Sequence, residues 1–173
     1  MSTKKNKIKD LIQEYLLDEG ILRGKVNDPD SKFEFGFTFS FPPGQKSQGM
    51  SVLMPKGKNF ILIIIQTQLS KPDRKALNSL KDNKKEQFFE DIRRFFLIKE
   101  LFFRIDAQNY RYEINDQIFI EKDGSISRDS FYRSIRKIFY SYIYSTIILG
   151  TYCYGDKKPS QESPSRFDFS LYS

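Results

Sequence analysis

Residues 33–41 read Phe-Glu-Phe-Gly-Phe-Thr-Phe-Ser-Phe, and this stretch constrains the fold more than any other. Phenylalanine at every second position suits a β-strand whose side chains alternate between two faces. A helix would scatter the five rings around its axis. Burying each ring is worth about 1.5–3 kcal/mol, so one covered face supplies on the order of 10 kcal/mol, comparable with the stability of a whole small domain. The ladder therefore reads as core. An RNA-recognition reading of Phe35-Gly36-Phe37 fails, because the next aromatic of that motif falls on Ser40 and its basic-Gly pair on Phe33-Glu34. Gly36, in mid-strand, is expected to mark a bulge rather than a close approach of another segment.

The neighbouring segments supply partners for this strand. Ile8–Leu17 has helical spacing and ends at Gly20, and Ile21–Val26 reads as a short strand. Met50–Met54 is a strand, and Pro55-Lys56-Gly57-Lys58 is a turn, as is Pro42-Pro43-Gly44-Gln45-Lys46. Neither turn is a Walker-type phosphate loop, because strands follow where a helix is required. The run Phe60–Ile65 suits a strand buried on both faces. Ser70 is placed to cap a helix carrying Leu77 and Leu80, and a longer helix runs from Asn83 to about Phe102. Strand fragments are predicted at Phe103–Ile105, Tyr110–Ile114 and Gln117–Glu121, and Ser127 caps a last helix reaching about Leu149.

This order predicts an α+β fold, with a curved, mainly antiparallel sheet packed against the N- and C-terminal helices in the order α-β-β-β-α-β-β-α. The middle helices are expected at an end of the sheet or on its other face. The chain length suits one domain, residues 1–154, with a flexible tail at 155–173 that is rich in Ser, Pro and charge. The alternation Phe167, Phe169, Leu171 in that tail could add a strand to a sheet edge, although a plain tail is the simpler reading.

The residues absent from the chain narrow its chemistry. It has no histidine and one cysteine, Cys153. Zinc sites built on His or Cys, His-dependent triads and internal disulfides are excluded. No cofactor is expected. The carboxylate pairs Asp28/Asp30 and Glu90/Asp91 fit turn and helix chemistry better than a metal-dependent hydrolase. The absence of a signal peptide and of a disulfide framework points to a cytoplasmic location.

Two surfaces remain as candidates. Arg128, Arg133, Arg136 and Lys137 open the last helix, and the last three share a face. With a net charge of +7 they form a candidate site for nucleic acid or an acidic partner. From Ile138 to Gly155 no charged residue occurs in 18 positions. Ser141, Ser145, Thr146 and five tyrosines make that run a poor membrane span, so a membrane is disfavoured. Burial within the domain or against a partner suits it better, with Ile138, Tyr142, Ile143, Ile147 and Leu149 as the candidate dimer or partner helix.

Several segments in order resemble an uncharacterised archaeal family of unknown function. These are Phe41-Pro42-Pro43-Gly44, Met54-Pro55-Lys56-Gly57-Lys58, the Ile-rich strand leading into Gln68-Leu69-Ser70, Arg74-Lys75-Ala76-Leu77, and Arg128 to Lys137. The resemblance spans roughly Ile8 to Leu149 and carries over no catalytic residue. The element order is also similar to that of type III secretion chaperones, small proteins that dimerise and hold client segments. Together these readings favour a non-enzymatic protein-binding module, homodimeric and chaperone-like, with nucleic-acid binding as the alternative.

Overall fold

The phenylalanine ladder forms one strand of a six-stranded sheet. In the computed structural model, which describes residues 4–80 and 83–155, the elements are α1 (Lys4–Asp18), β1 (Leu22–Lys25), β2 (Phe33–Phe41), β3 (Gln48–Pro55), β4 (Phe60–Gln68), α2 (Lys71–Ser79), α3 (Lys84–Ile98), β5 (Phe102–Asp106), β6 (Arg111–Phe119) and α4 (Arg128–Tyr154). The tail expected at 155–173 lies, beyond Gly155, outside the described residues. The strand order is β1-β2-β3-β4-β6-β5, with every pair antiparallel. The α+β class and the antiparallel sheet against terminal helices are as the sequence indicated. The four strands ahead of the middle segment, and the two helices within it, are those read one by one from the sequence, one strand and one helix more than the condensed order α-β-β-β-α-β-β-α.

The sheet has one heavily covered face. Phe35, Phe37 and Phe39 of β2 point there, with Val52 and Met54 of β3, Ile61, Ile63 and Ile65 of β4, and Ile114 of β6. Ile8, Ile12 and Leu16 of α1 and Phe131, Ile135, Ile138 and Phe139 of α4 close over them. The rings of Phe41 and Phe139 meet edge to face at 5.2 Å, and those of Tyr15 and Phe131 lie 5.7 Å apart. Phe96 of α3 stacks near Phe103 and Tyr112, which lie on the same face. The middle helices thus share the terminal helices' face, with α3 covering the β5 end of the sheet as one of the two expectations had it, and they do not lie on the opposite face. Phe88, Ile92 and Phe96 recur at helical spacing and can be buried only where apolar side chains already converge.

One further expectation holds in part and two are corrected. The strand Phe60–Ile65 has helices over one face, and Ile64 on the other face is buried as well. Leu53 and Ile64 point to the other face and stand outside the main core cluster, although little of either is exposed. The two fragments expected at Tyr110–Ile114 and Gln117–Glu121 merge into one continuous strand, β6 (Arg111–Phe119), whose Asp116 pairs with Lys137 of α4 at 3.1 Å. Gly36 is not a bulge. The register shifts fall between Phe33 and Phe35, and between Leu22 and Gly24. A Cβ at Gly36 would stand 2.8 Å from Leu53 Cδ2 and 2.9 Å from Val26 Cβ, so the glycine makes room for these two side chains.

Candidate functional site

The helix α4 carries both surfaces singled out by the sequence. The Ser127 hydroxyl caps it, accepting the backbone N–H of Ser130 at 3.1 Å. It continues to Tyr154, five residues past the expected end.

The four cations at its start do not form one open basic face. The Arg128 guanidinium donates to Asp18 at 2.8 Å and to Glu19 at 2.9 Å, and lies 5.6 Å from the centroids of the Tyr15 and Tyr132 rings. The Glu19 and Asp18 hydrogen bonds raise its pKa further. Arg133 pairs with Asp129 one turn earlier. Lys137 reaches Asp116 and the Glu100 carbonyl. Arg136 alone of the four has no ion pair among the described residues. It lines a cleft of about 320 Å³ with Arg128, Phe41 and Pro43, which Glu19 and Asp129 also border. Asp18, Glu19, Asp129 and Asp116 thus match the four cations in charge.

The uncharged half of α4 divides cleanly. Ile138 and Leu149 are buried in the core of the same chain, so neither is available to a partner. Tyr142 and Ile143 are half-buried against that core. Of the five residues singled out, Ile147 alone is well exposed, at 46%. The outward stripe consists instead of Tyr140, Tyr144, Ile147 and Tyr154, spaced by four, three and seven residues and hence on one face. Their spacing was visible in the sequence, but the absence of charge across the whole run hid which face was outer. The stripe continues onto α3. The Phe95 ring lies 4.2 Å from that of Tyr144, and Ile98, three residues on, is 77% exposed.

The hydroxyls of this half-helix are turned inward on its own backbone. Ser141 donates to the Lys137 carbonyl, Ser145 to Tyr142, Thr146 to Ile143 and Thr151 to Ile147. Such back-bonding removes the polar character these residues would otherwise show. The tyrosine hydroxyls are also engaged in part. Tyr154 donates to Asp73 at 2.9 Å and Tyr152 to Asp91. Burial pushes the Tyr152 hydroxyl up to about 12, and the Asp91 carboxylate adds to the shift.

The remaining candidates hold structural contacts. Asp28 accepts the Phe33 amide at 2.7 Å, Asp30 pairs with Lys32, and Glu90 pairs with Arg93 and Arg94. Cys153 is half-buried, with Sγ 3.6 Å from the Asp73 carbonyl. No described helix is long and apolar enough to cross a membrane.

These features define a class of small α+β protein, an open antiparallel sheet with a single helical layer and an apolar stripe on its longest helix. The chain belongs to the family described as "Uncharacterized conserved protein (DUF2299)", which it matches over residues 8–149. A crystal structure of an uncharacterized protein from Methanothermobacter thermautotrophicus has the same fold, with a TM-score of 0.72 and 22% identity over 84% of this chain and 98% of that one. No curated protein matches significantly. The archaeal family resemblance is borne out; the likeness to secretion chaperones is not confirmed by these comparisons.

Proposed function

We propose that the protein is a non-enzymatic protein-binding module whose first partner is a second copy of itself, paired through the outward face of α4. The observation that carries this reading is the exposed stripe of Tyr140, Tyr144 and Ile147, extended by Phe95 and Ile98 of α3. Contiguous apolar surface of this kind marks interaction sites, and tyrosine is enriched in interface cores. A second copy fits because the stripe lacks charge from Ile138 to Gly155. Along residues 138–155 of α4, two chains each carrying +7 can meet about a two-fold axis without like charges in contact, and the cations bordering the patch, Arg136 one turn before Tyr140 and Lys99 5.8 Å from the Phe95 ring, stand at its rim. The stretch Tyr140–Tyr154 is about 22 Å long, enough for a two-helix seam flanked by α3.

Nucleic-acid binding has less support, since carboxylates match the four candidate cations. Size measured across a dilution series tests the reading. A mass that falls from two chains to one as concentration drops supports self-association. A strict monomer throughout removes it.

A further inference from the structure

A second feature lies at the β1–β2 edge, where α1 and the β3–β4 turn meet it. Lys9 from α1, Lys25 from the end of β1 and Lys56 from the turn line a cleft of about 320 Å³, together with Ser31, Val26 and Phe33. None of the three lysines forms an ion pair among the described residues. Two carboxylates also line the cleft, but both are already engaged. Asp28 accepts the amide of Phe33, and Glu34 accepts from Lys5 Nζ and, at 3.4 Å, from the Gly57 amide. The backbone N–H of Lys32 is the chief cause holding Asp28 below the usual carboxylate range, and Lys5 does the same for Glu34. Lys56 adds to both effects, as a positive local potential requires. The lining thus carries three lysines against two carboxylates, one of which, Glu34, is already paired with Lys5.

We propose that this cleft binds a small anion carrying two or more negative charges. Its volume is at the lower end for small-molecule sites and far too small for a duplex. One exposed ammonium gives an anion little. Three lysines lining one cleft beside the apolar residues Val26 and Phe33 give more, because their charges add and low-dielectric walls strengthen the field. Lysine serves phosphate and carboxylate alike as a point charge. The site stands apart from the α4 stripe and does not depend on the dimer.

Calorimetric titration of the full chain with pyrophosphate and, separately, with citrate at low ionic strength tests the proposal. At least one should bind with saturation at one per chain, and the tighter of the two identifies phosphate or carboxylate as the class. The triple variant Lys9→Gln, Lys25→Gln, Lys56→Gln should lose about tenfold or more in affinity. A matched variant, Lys71→Gln, Lys75→Gln, Lys99→Gln, removes equal charge elsewhere and should stay within about twofold. Lys56→Gln alone, at an exposed turn, keeps the comparison available if the triple variant misfolds. No saturable binding of either anion, or equal loss in both triple variants, overturns the proposal.

Discussion

Gly36 shows how much one missing methyl group can decide. Adding it would drive a Cβ against Leu53 and against Val26 Cβ, and the latter is a branch point that cannot swing aside. Gly36→Ala should therefore cost about 1–3 kcal/mol in urea unfolding, the usual range for overpacking. Gly49, on β3, has nothing within 4 Å of the same added atom. Gly49→Ala should be neutral or stabilise by about 0.4–1 kcal/mol through the unfolded chain. Tyr112 gives a second test at this scale. Its hydroxyl is buried beside Ser145 at 2.6 Å, and desolvation pushes its pKa from 10.0 to about 12. A raised folded pKa means that the unfolded chain releases the proton first as pH rises. The contribution of Tyr112 is complete below pH 10 and is lost between about 10 and 12, on the order of 2–3 kcal/mol. Tyr112→Phe should flatten that alkaline limb of a stability–pH profile.

The elements differ in how far the sequence exposed them. β2 was legible because strict period-two alternation over nine residues suits no helix. Its burial gives a direct contrast, since Phe37 is 1% exposed and Phe119 of β6 is 66% exposed. Phe37→Ala should cost about 3–5 kcal/mol, while Phe119→Ala should stay within about 0.5 kcal/mol in the same denaturation assay. β6 was less legible. Asn115 and Asp116 looked like a break, and only the tertiary partner Lys137 explains an aspartate directed toward the helical layer. The outer stripe of α4 was hidden for a different reason. A helix normally marks its solvent face with charge, but α4 uses tyrosine and back-bonded serine and threonine, so inner and outer faces read alike. Ile138 and Leu149 were grouped with Ile147 on that account, and the fold separates them.

Across the whole molecule, distance along the chain limits what sequence alone reveals. Lys9, Lys25 and Lys56 belong to three separate elements, and only the packing of α1 across the β1–β2 edge brings them to one cleft. The same holds for Arg128, whose partners Asp18 and Glu19 lie 110 and 109 residues away. Carboxylates in turns and at the strand ends carry the acid response. The pKa values of Asp28, Glu34, Asp106 and Asp123 are lowered, first by the Lys32 amide, Lys5, Asn109 and Ser125 respectively. Lowered folded pKa values give stability that is present above the ordinary carboxylate range and is lost as pH falls through them. The melting temperature should therefore drop below about pH 4, and Asp123→Asn should reduce that drop.

The central claim is that the face of α4 left open by the fold pairs two chains. Sedimentation equilibrium on the intact protein tests it most directly, comparing the parent with Tyr144→Glu/Ile147→Glu and with Phe119→Glu on the sheet. The account predicts a two-chain mass for the parent and for Phe119→Glu, and a one-chain mass for the double variant, with all three folded by circular dichroism. A one-chain mass for the parent, or a two-chain mass that survives the double substitution, would contradict it.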